Sequence, residues 1–108
     1  MNKDKTKNFS HSVLFWLKEP EIATVRAKFE SEAKKLIAES RYAHFSHFGV
    51  PAGTDRAVVD NSYTYSMIVT FETVADHDAY QTEDAHLHFI KECKELWTKV
   101  VIYDVLSL

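Results

Sequence analysis

His86 and Tyr80 are the residues of this chain best placed to do chemistry. Thr82, Glu83 and Asp84 read as a helix start: a capping hydroxyl, then two acids at the positive helix end. The helix predicted from there covers 85–97. On it His86, Phe89, Ile90, Cys93 and Trp97 recur at three- and four-residue steps, so they share one face. That face is apolar except for His86 in the first turn. Tyr80 lies six residues upstream of His86, on a short helix predicted over 74–81. An imidazole that titrates near neutrality can take a proton from a carbon next to a carbonyl. A phenol can hydrogen-bond the oxyanion that forms. His86 as base and Tyr80 as its partner are therefore the candidate catalytic pair.

Other chemistries find less support. His86 and His88 are two apart on a helix and diverge; His44 and His47 are three apart on a strand and face opposite ways. No local pair chelates, and no metal or other cofactor is expected. His77, between Asp76 and Asp78, reads as surface. The two glycines, Gly49 and Gly53, sit in one turn, so there is no glycine-rich phosphate loop. Cys93 is the single cysteine, which rules out an intrachain disulfide. It lies in the helix stripe about 10 Å from His86 by helix rise, and reads as a buried, reduced thiol.

The elements that must position these side chains follow from periodicity. Residues 1–8 are polar and read as a disordered tail, and 9–108 as a single domain of one core. Phe9–Leu17 alternates as a strand, with His11, Val13, Phe15 and Leu17 facing one way and Ser12, Leu14 and Trp16 the other. Glu19-Pro20-Glu21 starts a helix whose buried stripe is Ile22, Val25, Phe29, Ala33, Leu36 and Ile37. A second strand covers 41–49. A loop with a short extended piece at 57–60 reaches Ser62. The third strand covers 63–73, with Tyr63, Tyr65, Met67, Val69 and Phe71 on one face. The last strand covers 99–106.

Strand, helix, strand, strand, helix, strand is the α+β, ferredoxin-like βαββαβ order: a four-stranded antiparallel sheet with helices on one face. The second face carries Leu14, Trp16, Ile68 and one parity of the last strand, too apolar to leave in water. The simplest cover is a second copy of the sheet, so a homodimer packed sheet face to sheet face is expected. The net charge is −3 with no basic face, which argues against nucleic acid as a partner. The longest N-terminal apolar run, 13–17, is too short to span a membrane or serve as a signal segment. A cytoplasmic protein is expected.

From Ser10 to Asp104 the chain resembles the stress-responsive α/β barrel (Dabb) family of the dimeric α/β-barrel superfamily. The residues carrying the likeness are His11-Ser12-Val13-Leu14-Phe15, Phe48-Gly49, the strand over 63–72, Tyr80 with Ala85-His86 and Phe89, and Leu96-Trp97 leading into Val101-Ile102-Tyr103-Asp104. The resemblance implies a ferredoxin-like subunit and a dimer. One plant branch of the family closes linear polyketides by a cofactor-free aldol reaction. Its general base falls on His86, the assisting tyrosine on Tyr80 and a strand-one histidine on His11. Where that branch has a strand-three histidine this chain has Tyr65, so the cyclase activity does not carry over directly.

If the faces carrying His11 and Tyr65 both meet the helices, then His11, Val13, Phe15, Tyr65, Met67 and Val69 oppose Phe29, Tyr80, His86, Phe89 and Trp97. Such a wall suits a pocket for a small apolar or aromatic molecule. The competing reading has these residues filling the core and hydrogen-bonding one another. An acid–base enzyme of the cyclase, isomerase or monooxygenase-like kind is the alternative to a binding protein.

Overall fold

β1 (Phe9–Leu17) is the centre of the sheet, and every second residue of it is fully buried. The computed structural model describes residues 8–108, so positions 1–7 of the expected tail lie outside it. Asn8 pairs with Ser107, its carbonyl accepting from the Ser107 N–H at 3.0 Å. β1 pairs antiparallel with β3 (Tyr65–Phe71) on one side and with β4 (Trp97–Leu106) on the other. β2 (Phe45–Gly49) adds outside β3, giving the order β2-β3-β1-β4.

Residues directly opposite in an antiparallel pair share a face. His11 stands between Val69 and Asp104, Val13 between Met67 and Ile102, and Phe15 between Tyr65 and Val100. These residues form the face under the helices. α1 (Ala23–Glu39) contributes Phe29, Ala33 and Leu36 to the core. α2 (Val74–Thr82) contributes Tyr80, and α3 (Asp84–Cys93) contributes Phe89 and Cys93.

Several boundaries differ from those the sequence predicts, each for a local reason. Pro20 does not open α1. It sits in a turn closed by the Ile22 N–H on the Glu19 carbonyl at 3.2 Å, a position that suits proline's fixed φ. β2 starts at Phe45 rather than 41, because Ser40 Oγ accepts from the Tyr42 and Ala43 N–H groups at 3.2 Å each. Residues 57–60 make a turn, with the Val59 N–H on the Arg56 carbonyl, and no strand. The capping hydroxyl is Thr73, which accepts from the Asp76 N–H at 3.0 Å at the start of α2. Thr82 instead ends that helix. Glu83 then turns the chain in extended conformation before α3, with no side-chain cap there. Its carboxylate accepts from Ser40 Oγ at 2.5 Å and from the Arg41 N–H at 3.2 Å. α3 stops at Cys93, a 3₁₀ turn covers Lys94–Leu96, and Trp97 opens β4. Trp97 therefore belongs to the sheet, not to the helix.

The outer sheet face carries Leu14, Trp16, Ile68 and Val101, together with Phe45, Tyr103 and Val105, which are each more than half exposed. Trp16 is tied to the long loop by Nε1 donating to Ser62 Oγ at 3.1 Å, and Lys99 sits over its ring. Among the described residues no helix is long and apolar enough to cross a membrane.

Candidate functional site

The sharp corner between α2 and α3 places the two chemical side chains. Tyr80 lies in the last turn of α2, His86 in the first turn of α3, and their rings are 4.9 Å apart between centroids. Both line a cavity of about 310 Å³ between the helices and the sheet. His11, Val13, Phe15 and Met67 form its floor. Gln81, Phe89 and Ile90 join Tyr80 and His86 above, and Leu36 closes it from α1. Trp97, Val100 and Ile102 line the β4 side, where Ile102 is half exposed. A larger hollow of about 580 Å³ lies on the other side of the corner, among charged residues such as Glu39, Arg41, Glu83 and Asp84. It contains neither His86 nor Tyr80, and the chemistry argues for the smaller, apolar one.

The electrostatics of the pair are set by burial. His86 is held below the usual histidine range, first by desolvation and next by the nearby His11; the Gln81 backbone and Glu83 oppose this. It is therefore a neutral imidazole at pH 7. Its Nδ1 is buried and has no hydrogen-bond partner among the described residues. Tyr80 is pushed up by burial and by the Glu83 charge, so its phenol stays protonated. A neutral imidazole nitrogen without a hydrogen-bond partner among the described residues, beside a phenolic O–H, can accept a proton through its lone pair or donate one as N–H, and can hydrogen-bond an oxygen.

Three of the expected wall residues, Tyr65, Phe29 and Val69, do not line the cavity; Val69 is buried in the sheet between His11 and Ser46. Tyr65 stacks on Phe29 with centroids 4.9 Å apart and on Phe48 at 5.3 Å. Its hydroxyl donates to Glu30 Oε2 at 2.5 Å, and the Arg26 guanidinium covers the ring. Tyr65 does share the helix-side face, but it stands at the α1 end of β3. Met67, two residues on, is the β3 residue that reaches the cavity. Phe29 fills the space between Tyr65 and Phe15 and does not line the cavity. Gln81, Leu36, Val100 and Ile102 are wall residues beyond those expected. Sequence parity alone leaves open which face Val100 and Ile102 take.

The reading of His77 as surface is overturned. Its ring stacks on Phe9 at 4.2 Å, lies 5.2 Å from the His11 ring, and its side chain is only 14% exposed. His11 Nδ1 is 2.6 Å from Asp104 Oδ1, a contact made by the β1–β4 register. Burial lowers the His11 pKa, with Asp104 acting against it. The other histidines are peripheral: His44 stands 3.9 Å from Glu72, and His88 is 3.1 Å from Glu32. Burial pushes the Cys93 thiol up to about 12, so no nucleophilic thiolate is available there.

The architecture is that of a ferredoxin-like subunit with an apolar cavity between sheet and helices. Residues 9–107 match the stress responsive A/B barrel domain, Dabb, and the chain belongs to that family. No curated protein matches it. Among solved structures it is similar to a Dabb family protein with a ferredoxin-like fold from Mesorhizobium loti, at 19% identity and a TM-score of 0.78, covering 94% of this chain and 98% of that one. A dimeric ferredoxin-like protein of unknown function from Thermobifida fusca aligns with a TM-score of 0.76 at 15% identity, over 94% of this chain and 92% of that one. A hydroxynitrile lyase from Passiflora edulis aligns with a TM-score of 0.77 at 20% identity, over 94% of each chain.

Proposed function

We propose that this chain is a homodimeric barrel-domain protein whose cavity binds a small apolar or aromatic molecule bearing one polar group. The observation that carries this reading is the unpartnered Nδ1 of His86 at the wall of an otherwise apolar space. A buried nitrogen left without a partner costs about 1–3 kcal/mol, which a hydroxyl or carbonyl on a bound molecule would remove. The volume is at the small end of ligand sites, and about twice that of a cavity known to hold benzene. One or two aromatic rings with a short substituent fit that space. The outer face, with Leu14, Trp16, Ile68, Tyr103 and Val105, is the surface against which a second copy packs. A buried free thiol at Cys93 fits a reducing, cytoplasmic compartment.

The test uses 2-naphthol and naphthalene, followed by ligand-observed NMR and calorimetry. We expect 2-naphthol to bind once per protomer and more tightly than naphthalene, with the difference lost in His86→Phe. Equal affinity of the two compounds for the unaltered chain, or binding of neither, would sink this reading.

A second reading is favoured by the pairing of His86 with Tyr80: cofactor-independent acid–base catalysis at a carbon next to a carbonyl. An enzyme on this fold is not unprecedented, since the Passiflora edulis protein bears the name hydroxynitrile lyase. Turnover of a bound carbonyl compound that His86→Ala abolishes, with folding retained, would promote this reading over simple binding.

A further inference from the structure

We propose that His11, His77 and Asp104 form a binding site for a divalent transition-metal ion at the rim of the cavity. This goes beyond the small-molecule reading and stands whether or not the cavity takes an organic ligand. The three residues come from β1, α2 and β4, and one potential ligand atom of each lies within 4.8 Å of the other two. Asp104 stands between the imidazoles: Oδ1 is 2.6 Å from His11 Nδ1, and Oδ2 is 4.0 Å from His77 Nε2.

An ion bound at about 2.0–2.2 Å by nitrogen and oxygen needs its ligand atoms roughly 3.0–3.5 Å apart. One observed spacing is shorter and the other longer, each by less than about 1 Å on that geometry. Asp104 can absorb the difference by turning about its contact with His11, because its side chain is 42% exposed. The imidazoles are held in place. Phe9 stacks under the His77 ring, and His11 is buried in the sheet.

The donor set selects the ion. Two imidazoles and one carboxylate suit zinc, cobalt, nickel or ferrous iron, and not magnesium or calcium, which take oxygen ligands. The outer partners fit as well. His77 Nδ1 lies 3.1 Å from Asp78 Oδ1, the carboxylate-on-imidazole arrangement that orients a metal-binding histidine. That leaves the Nε2 lone pair as the ligand atom; it accepts from the Gln81 side-chain amide at 3.2 Å, which must swing off it for an ion to bind and can then bond a water or ligand on that ion.

The test is titration of the full chain with Co²⁺, read by visible d–d absorption and by calorimetry, with Zn²⁺ as competitor. We expect one ion per protomer, displaced by Zn²⁺. His77→Ala and Asp104→Asn should each weaken Co²⁺ binding at least about tenfold, the minimum that loss of even an outer partner brings. The triple substitution His44→Ala, His47→Ala, His88→Ala should leave it unchanged. Melting curves establish that each variant folds; Asp104 lies on the exposed edge strand, so Asp104→Asn remains informative if His77→Ala does not fold. Absence of uptake by the unaltered chain, uptake that survives Asp104→Asn, or loss in the triple variant overturns the proposal.

Discussion

Replacing His86 with phenylalanine separates a functional histidine from a structural one. In the free protein, Nδ1 of His86 is a buried polar atom without a partner among the described residues. Phenylalanine has nearly the same ring shape and no such atom. Removing an unsatisfied buried group recovers about 1–3 kcal/mol. The substitution also loses the weaker contacts of the ring with the Gln81 backbone and Glu83. The balance is a gain of about 1 kcal/mol, which for a domain of this size raises Tm by roughly 4–8 °C. The pH dependence supplies a second readout. The folded pKa of His86 is lowered, so below pH 6.5 the unfolded chain binds the extra proton and stability falls with acidification. His11 acts in the same direction. Each contributes a slope of up to about 1.4 kcal/mol per pH unit between its folded and unfolded pKa. Urea denaturation at pH 7.5, 6.5 and 5.5 should therefore show a shallower acid loss in His86→Phe than in the parent. A variant destabilised at pH 7.5, with the acid slope unchanged, would mean that His86 is bonded into the core and that the reasoning fails.

Three further outcomes are expected. Tyr65→Phe removes the bond to Glu30 and should cost about 1–2 kcal/mol by urea denaturation, while 2-naphthol affinity stays within twofold, roughly 0.4 kcal/mol. Ser40→Ala removes the group that donates to Glu83 and accepts from Tyr42 and Ala43. A loss of about 1–3 kcal/mol is expected, with a measurable change in the 2-naphthol affinity, because Glu83 sits at the corner carrying both cavity residues. Tyr103→Lys puts a charge on the outer sheet face and should shift sedimentation from dimer to monomer without unfolding the subunit.

What the chain discloses before folding depends on how local the cause is. The nine-residue alternation of β1 needs only the period-two rule, and it puts His11, Val13 and Phe15 on the buried face that floors the cavity. The βαββαβ order follows from such local patterns. The end of α3 does not, because Leu96 and Trp97 continue the helical spacing and nothing in their types announces the 3₁₀ turn. Tyr65 shows a subtler failure: its face is right, but its position along the strand decides which helix it meets. His77 and Asp104 lie 66 and 93 residues from His11 in the chain. Only the β1–β4 register and the seating of α2 bring them together, and neither can be read from a single segment.

Glu83 has a consequence that reaches beyond the corner it forms. The two halves of the helical lid, one carrying Tyr80 and the other His86, meet at this residue, and its carboxylate is pinned to the strand of chain that leaves α1. At this corner the lid thus has an anchor outside the cavity, separate from the α1–α3 pairs His88–Glu32 and Lys28–Glu92 further along α3. Drift at positions 40–43 can tilt the lid and change the shape and appetite of the space below it while all of its lining stays the same. Two relatives with identical cavity walls can on this account prefer different molecules, and the difference will be found at the anchor.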